Sequence, residues 1–198
     1  MKKLLLVWLL CAAAAPAAAQ DWTDILKKAA TTAADKLTGG KLTAAALIGT
    51  WNYTAPAAKF ESDNLVSELG GTAMESTVTG YLEKGYTMVG IQPGAASFTF
   101  NDDKTFSANL GKAKDLSGTY EFDPSTHEIT LRFNKTKFNL GSLTGHVYIS
   151  GSELQLVFPV TKLVDMVTAI GSKISSLQTV ASLLEKYKEV YVGFAFAK

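Results

Sequence analysis

Residues 97–133 read SFTFNDDKTFSANLGKAKDLSGTYEFDPSTHEITLRF, and this stretch decides the fold. Ser97-Phe98-Thr99-Phe100 runs into Asn101-Asp102-Asp103-Lys104, a turn. Thr105 to Leu110 follows, then Leu116 to Phe122, with Gly118, Tyr120 and Phe122 on one face. Asp123-Pro124-Ser125-Thr126 makes the next turn, and His127-Glu128-Ile129-Thr130-Leu131-Arg132-Phe133 alternates cleanly. Apolar side chains at every second position, punctuated by clusters of Asn, Asp, Pro and Ser, predict an antiparallel meander.

The same pattern extends toward the C-terminus. A strand falls within residues 137–149, with Val147 and Ile149 near its end, and Ser150-Gly151-Ser152 turns into a strand over 153–158. Residues 160–187 then switch to a helical period through Leu163, Met166, Val167, Ile170, Ile174, Leu177, Val180, Leu184 and Tyr187. Gly171-Ser172 is placed to kink or split that helix. Val190 to Ala197 alternates again as a last strand.

Toward the N-terminus, Leu47 to Thr54 reads as the first strand, with Trp51 and Tyr53 on its core face and Pro56 ending it or marking an irregular edge. Residues 62–84 read as a helical hairpin. Ser62 or Asp63 caps a short helix bearing Leu65, Val66 and Leu69, and Gly70-Gly71 breaks it. Thr72 opens a second helix with Glu75 three residues on, Met74, Val78, Tyr81 and Leu82 form its apolar face, and Gly85 closes it. Residues 22–38 predict a further amphipathic helix, with Trp22, Ile25, Leu26, Ala29, Ala33 and Leu37 in step and Gly39-Gly40 as its stop. It lies against the outside of the main domain, or else serves as a spacer or membrane-facing stalk.

The count is one strand before the hairpin, six in the meander and one at the end. Eight strands suffice to close a small barrel, whereas an open sheet would leave the first and last strands as apolar edges. Pairing 47–54 with 190–197 removes both edges. The predicted fold is therefore mainly β: an eight-stranded antiparallel barrel, a helical hairpin between strands 1 and 2, and a long helix before the last strand. A sandwich or half-barrel backed by helices is the competing architecture.

The first twenty residues bear on location. Lys2-Lys3, an apolar run from Leu4 to Leu10, and Ala17-Ala18-Ala19-Gln20 have the form of an export leader, too short for a transmembrane span. The expected division is 1–20 signal peptide, 21–40 amphipathic helix and linker, and 41–198 barrel domain, with the mature protein periplasmic or secreted. Cys11, the one cysteine, sits in this leader behind the bulky Trp8-Leu9-Leu10. Lipid anchoring there is the alternative to a cysteine-free soluble chain. Removing the leader leaves seventeen basic residues against eighteen acidic ones, and Arg132 is the one arginine. That balance gives phosphates no cationic cluster and argues against a nucleic-acid partner.

Several short motifs point to a known family. Leu47-Ile48-Gly49-Thr50-Trp51 resembles the glycine-x-tryptophan signature on the first strand of lipocalins. Joined to Asn52-Tyr53, Pro56, Phe60 to Asn64, Gly70-Gly71, Phe98 to Asn101, Thr105-Phe106, Ser117 to Tyr120, Phe158, Lys162-Leu163 and Gly193-Phe194, it is similar to an uncharacterised lipocalin-like family of secreted Bacteroidota proteins. The resemblance spans nearly the whole mature chain. It implies a calycin-type barrel with an extra helical insertion and carries no activity, ligand or catalytic residues to transfer. The long insertion after strand 1 and the lack of a disulfide depart from ordinary lipocalins.

The residues themselves assign structural roles to Gly49, Trp51 and Phe194. Trp51 plugs one barrel end with its indole N–H on a nearby carbonyl, and Gly49 leaves room for a neighbour. The barrel interior is expected to hold Phe98, Phe100, Phe106, Tyr120, Phe122, Ile129, Leu131, Phe133, Leu154, Leu156, Phe158, Phe194 and Phe196, with Tyr120 as a polar handle. The hairpin over one mouth acts as a lid or as filler. Read as a ligand site, these elements supply Leu65, Leu69, Met74, Val78, Tyr81, Phe98, Phe100, Phe106, Tyr120 and Phe133, with ordinary core packing the alternative for each.

Catalytic chemistry finds little footing. His127 and His146 have no adjacent ligand cluster for zinc, no phosphate-binding glycine loop or serine elbow occurs, and the carboxylates lie on turns. Arg132 is expected outside, paired with Glu121 or Glu128. No cofactor or metal is expected. The sequence supports a noncatalytic barrel that binds a small apolar or lipid-like ligand. The alternative is a protein–protein or envelope scaffold module with a filled barrel, meeting its partner through the N-terminal helix.

Overall fold

The eight strands close into one antiparallel barrel in simple sequential order, β1 to β8, with β8 returning to β1. In the computed structural model the described residues are 41–60, 72–135, 138–171, 174–184 and 190–198. The expected helix over 22–38 and the first arm of the hairpin, with Leu65 and Leu69, lie outside them.

A short helix, α1 (Lys41–Leu47), leads into β1 (Gly49–Phe60). Helix α2 (Thr72–Met88) comes next. The meander follows as β2 (Ala96–Phe100), β3 (Thr105–Leu110), β4 (Ala113–Asp123), β5 (Glu128–Phe133), β6 (Ser142–Ser150) and β7 (Glu153–Pro159). Helices α3 (Val160–Gly171) and α4 (Ser175–Leu184) precede β8 (Val190–Ala197).

The expected seam is present. β1 and β8 pair antiparallel from Asn52↔Ala197 to Phe60↔Val190, with a register shift between Tyr53 and Ala55. Closure leaves no free terminal strand, as the edge argument required. The long helical region before β8 is two helices, divided where Gly171-Ser172 had marked a break.

Three local expectations need correction. Pro56 does not end β1: it lies within the strand opposite Phe194. β1 pairs with β2 over Gly49–Asn52, so among the described residues one side of β1 has no strand neighbour from Tyr53 onward, and a proline is tolerated on such an edge. Leu47 belongs to α1 rather than to the first strand. Gly85 does not close α2, which continues to Met88. A Cβ at Gly85 would lie 2.6 Å from Leu177 Cδ2, so the missing side chain lets α2 and α4 approach closely.

The strand connections place elements at two ends. α1 sits at the end where β1 begins and β8 finishes. α2, α3 and α4 join strands at the opposite mouth, where Val78, Leu82, Tyr86, Leu163, Val167, Leu177 and Val180 are fully buried. Apolar burial on this scale is the main favourable term for a chain without disulfides.

Candidate functional site

The α1 end is closed by side chains acting on a helix terminus. The last carbonyls of a helix have no intrahelical donor. Trp51 Nε1 donates to the Leu47 carbonyl at 2.8 Å. Lys198 Nζ donates to the carbonyls of Ala46 and Ile48, both at 2.8 Å, and its ammonium lies 4.3 Å from the Trp51 ring centroid. A Cβ at Gly49, where φ is +123°, would lie 3.3 Å from Lys198 Cε. Lys198 is thus the neighbour for which Gly49 leaves room.

Inside the barrel the rings touch one another. Phe133 meets Phe106 edge-on at 5.1 Å, and Phe106 stacks on Phe98 at 5.7 Å. Phe98 meets Phe196 at 6.0 Å, Phe196 meets Phe194 at 6.0 Å, and Phe194 stacks on Tyr86 at 4.9 Å. Phe100 stacks on Phe98 and meets Tyr120 edge-on. These centroid spacings are those of packed aromatic pairs. Tyr120 Oη donates to the Asn101 carbonyl at 2.8 Å, so this handle is tied to the β2–β3 turn. Phe122 and Phe133, expected inside, are partly buried against the core.

Helix α2 contributes to this packing directly. Val78 is fully buried, and Met74 and Tyr81 are partly buried against the core. Leu82 and Tyr86 continue the buried face, and Tyr86 Oη donates to the Gly193 carbonyl of β8 at 2.9 Å. Burial, and then the neighbouring Tyr53, push the Tyr86 phenol well above its ordinary pKa.

The outer wall carries two features that pattern reading did not assemble. His127 and His146 both contact the Tyr148 ring, and His146 meets Tyr191 edge-on at 4.7 Å. The Nδ1 atoms of both histidines are buried and find no hydrogen-bond partner among the described residues. Among the described residues no three His, Cys, Asp or Glu side chains come together to hold a metal. Arg132 pairs with Glu121 at 2.6 Å on the surface, one of the two partners expected.

The second feature is a cleft of about 410 Å³ between β1 and α2. Glu75, Thr79, Glu83 and Thr87 line it from the helix, and Tyr53 and Thr54 from the strand. The four-residue spacing of Glu75, Thr79, Glu83 and Thr87 is visible in the sequence as a polar helix face. What that face meets depends on β1 outrunning β2, which has no local signal. Tyr53 is pushed above the ordinary phenol range by burial first and by the Glu83 charge second.

Comparison with known proteins adds the family. A family model described as a lipocalin-like domain, DUF4923, matches residues 23–198. The chain belongs to this lipocalin-like family. No curated protein matches it. Among solved structures it is similar to a DUF4847 family protein from Bacteroides vulgatus, at 15% identity and a TM-score of 0.37, over 83% of this chain and 96% of that one. The DUF4923 match covers the barrel, the α2 insertion and both closing helices. Among the described residues no helix is long and apolar enough to cross a membrane.

Proposed function

We propose that this DUF4923 protein is a noncatalytic interaction or scaffold module, periplasmic or secreted, whose barrel is filled by its own side chains. The observation that carries the reading is the continuous ring contact from Phe133 through Phe106, Phe98, Phe196 and Phe194 to Tyr86. A small barrel holds either packed side chains or one small ligand. An apolar ligand at Phe98, Phe100, Phe106, Tyr120 and Phe133 would require these rings to part. Fixing Tyr86 on the Gly193 carbonyl favours α2 as filler over α2 as a hinged lid.

The leader-like residues 1–20 support export, and the alanine-rich stretch at 21–40 is the docking arm of this proposal. The test combines two measurements on the full chain expressed in its host. Organic extraction of the purified protein is expected to release no stoichiometric apolar molecule. Cross-linking in the intact envelope is expected to join residues 21–40 to one defined partner, and deletion of 21–40 is expected to abolish that cross-link. A stoichiometric lipid-like species, or partner recovery unchanged by the deletion, overturns the reading.

A further inference from the structure

We propose that the cleft on the outer wall between β6 and the start of α3 is a carbohydrate site, taking one pyranose ring of a neutral glycan. The cleft holds about 450 Å³, within the range of small-molecule sites. Strand alternation builds it. Ser142, Thr144 and His146 of β6 line it, while Leu143 and Val147 between and beyond them are buried in the core. Glu128 of β5 stands opposite His146, and Tyr191 of β8 stands opposite Pro159 of β7. Lys162 adds to the lining from the first turn of α3.

The chemistry of this lining selects the class. Tyr191 and Pro159 offer apolar surface, and the His146 ring braces Tyr191 edge-on at 4.7 Å. Beside them stand an acceptor, Glu128, a donor, Lys162, and the hydroxyls of Ser142 and Thr144, which do both. A pyranose has the matching surface: an apolar C–H face that stacks on a ring, rimmed by hydroxyls that each donate and accept. The nearest rival is a free amino-acid zwitterion, held by Glu128 and Lys162. Both of these side chains are exposed, and ion pairs at exposed groups contribute little. Their charges also cancel, so the cleft favours neither an anion nor a cation.

His146 supplies an independent observation. Its Nδ1 is shut off from water and finds no hydrogen-bond partner among the described residues. A buried polar atom ordinarily has one. The imidazole lines the cleft, and half a turn about χ2 exchanges Nδ1 with Cδ2. A ligand hydroxyl then supplies the partner that the protein does not. The platform beneath is firm: Val157, opposite His146 on β7, is fully buried. A site carried on packed strands holds its geometry better than one on loops.

The site lies outside the barrel and goes beyond the scaffold reading, which it neither needs nor excludes. The test titrates the ¹⁵N-labelled full chain with cellotriose, with chitotriose, with sorbitol and with L-phenylalanine. Cellotriose or chitotriose is expected to shift the amides of Glu128, Ser142 to His146, Lys162 and Tyr191, and to saturate. Sorbitol, which has the hydroxyls without the ring, and the L-phenylalanine zwitterion are not. Tyr191→Ala is expected to weaken binding about tenfold, and Tyr191→Phe to retain it. His146→Phe keeps a ring against Tyr191 and is expected to weaken binding about fivefold, the loss of one neutral hydrogen bond. Thr99→Ala, on β2, leaves binding unchanged. Thermal midpoints establish that each variant is folded. No binding by either glycan, equal binding of sorbitol or L-phenylalanine, or binding indifferent to both Tyr191→Ala and His146→Phe overturns the proposal.

Discussion

The Tyr86 hydroxyl donates to the Gly193 carbonyl across 107 positions of sequence, at 2.9 Å, while its ring stacks on Phe194 at 4.9 Å. This pair fastens the helix inserted after β1 to the last strand of the barrel. Tyr86→Phe removes the bond and keeps the ring, so it should cost about 1–2 kcal/mol. Tyr86→Ala also opens a cavity and should cost about 3–5 kcal/mol. Urea denaturation followed by tryptophan fluorescence measures both. A hinged lid would behave differently: α2 would detach in a separate early transition, and the main unfolding midpoint would stay where it is in the parent.

Gly85 gives a second handle on the same packing. An added Cβ would meet Leu177 Cδ2 and Cγ at 2.6 and 2.7 Å. Gly85→Ala should gain helix propensity yet lose more through overpacking, a net destabilisation of about 1–3 kcal/mol. Gly80 lies on the same helix with nothing within 4 Å of its Cβ position. Gly80→Ala should stabilise by up to about 1 kcal/mol. Opposite signs at these two positions, read from thermal midpoints, confirm that α2 packs on α4 in solution.

These two glycines also show what was legible in the sequence. Strand count, turn positions and the β1–β8 seam follow from alternation and from the need to remove apolar edges, because both are patterns of type and spacing. Gly85 looked like a helix stop because glycine commonly follows the last turn. Its actual role depends on Leu177, ninety-two positions away, which no local pattern reports. Pro56 misled in the same way, since among the described residues β2 pairs with β1 only as far as Asn52, a long-range fact that no local pattern reports. The aromatic interior was readable residue by residue, but whether the rings leave a hole is a matter of mutual distance.

The closed end tests whether a surface lysine can be structural. Lys198 is exposed as a residue, yet its ammonium holds two carbonyls of the α1 terminus and lies over Trp51. Lys198→Met keeps much of the aliphatic stem and should cost about 1–2 kcal/mol, from charge-assisted bonds and the cation–π contact. Trp51→Phe removes the indole N–H on Leu47 and reduces the ring. A double-mutant cycle should return a coupling of about 0.5–1 kcal/mol between the two positions. Additive effects would mean that the lysine acts on the helix carbonyls alone.

Two hairpin turns predict the shape of the acid limb of stability. Asp103 accepts from Thr105 Oγ1 at 2.6 Å and from its N–H at 3.0 Å, and Asp123 accepts from Ser125 Oγ at 2.6 Å and from its N–H at 2.8 Å. These bonds, the side-chain ones first, hold both carboxyls below the ordinary aspartate range. A group whose folded pKa is depressed stabilises above its unfolded value and loses that contribution as pH falls through the folded one. The contribution is therefore intact at neutral pH and disappears below about pH 4. Asparagine keeps an accepting oxygen but cannot be protonated there. The Asp103→Asn, Asp123→Asn double variant should melt somewhat below the parent at about pH 6, and the gap should close as pH drops toward about 3. Melting curves at several pH values decide it. Parallel pH profiles for the two proteins would show that the turn carboxylates do not shape acid unfolding.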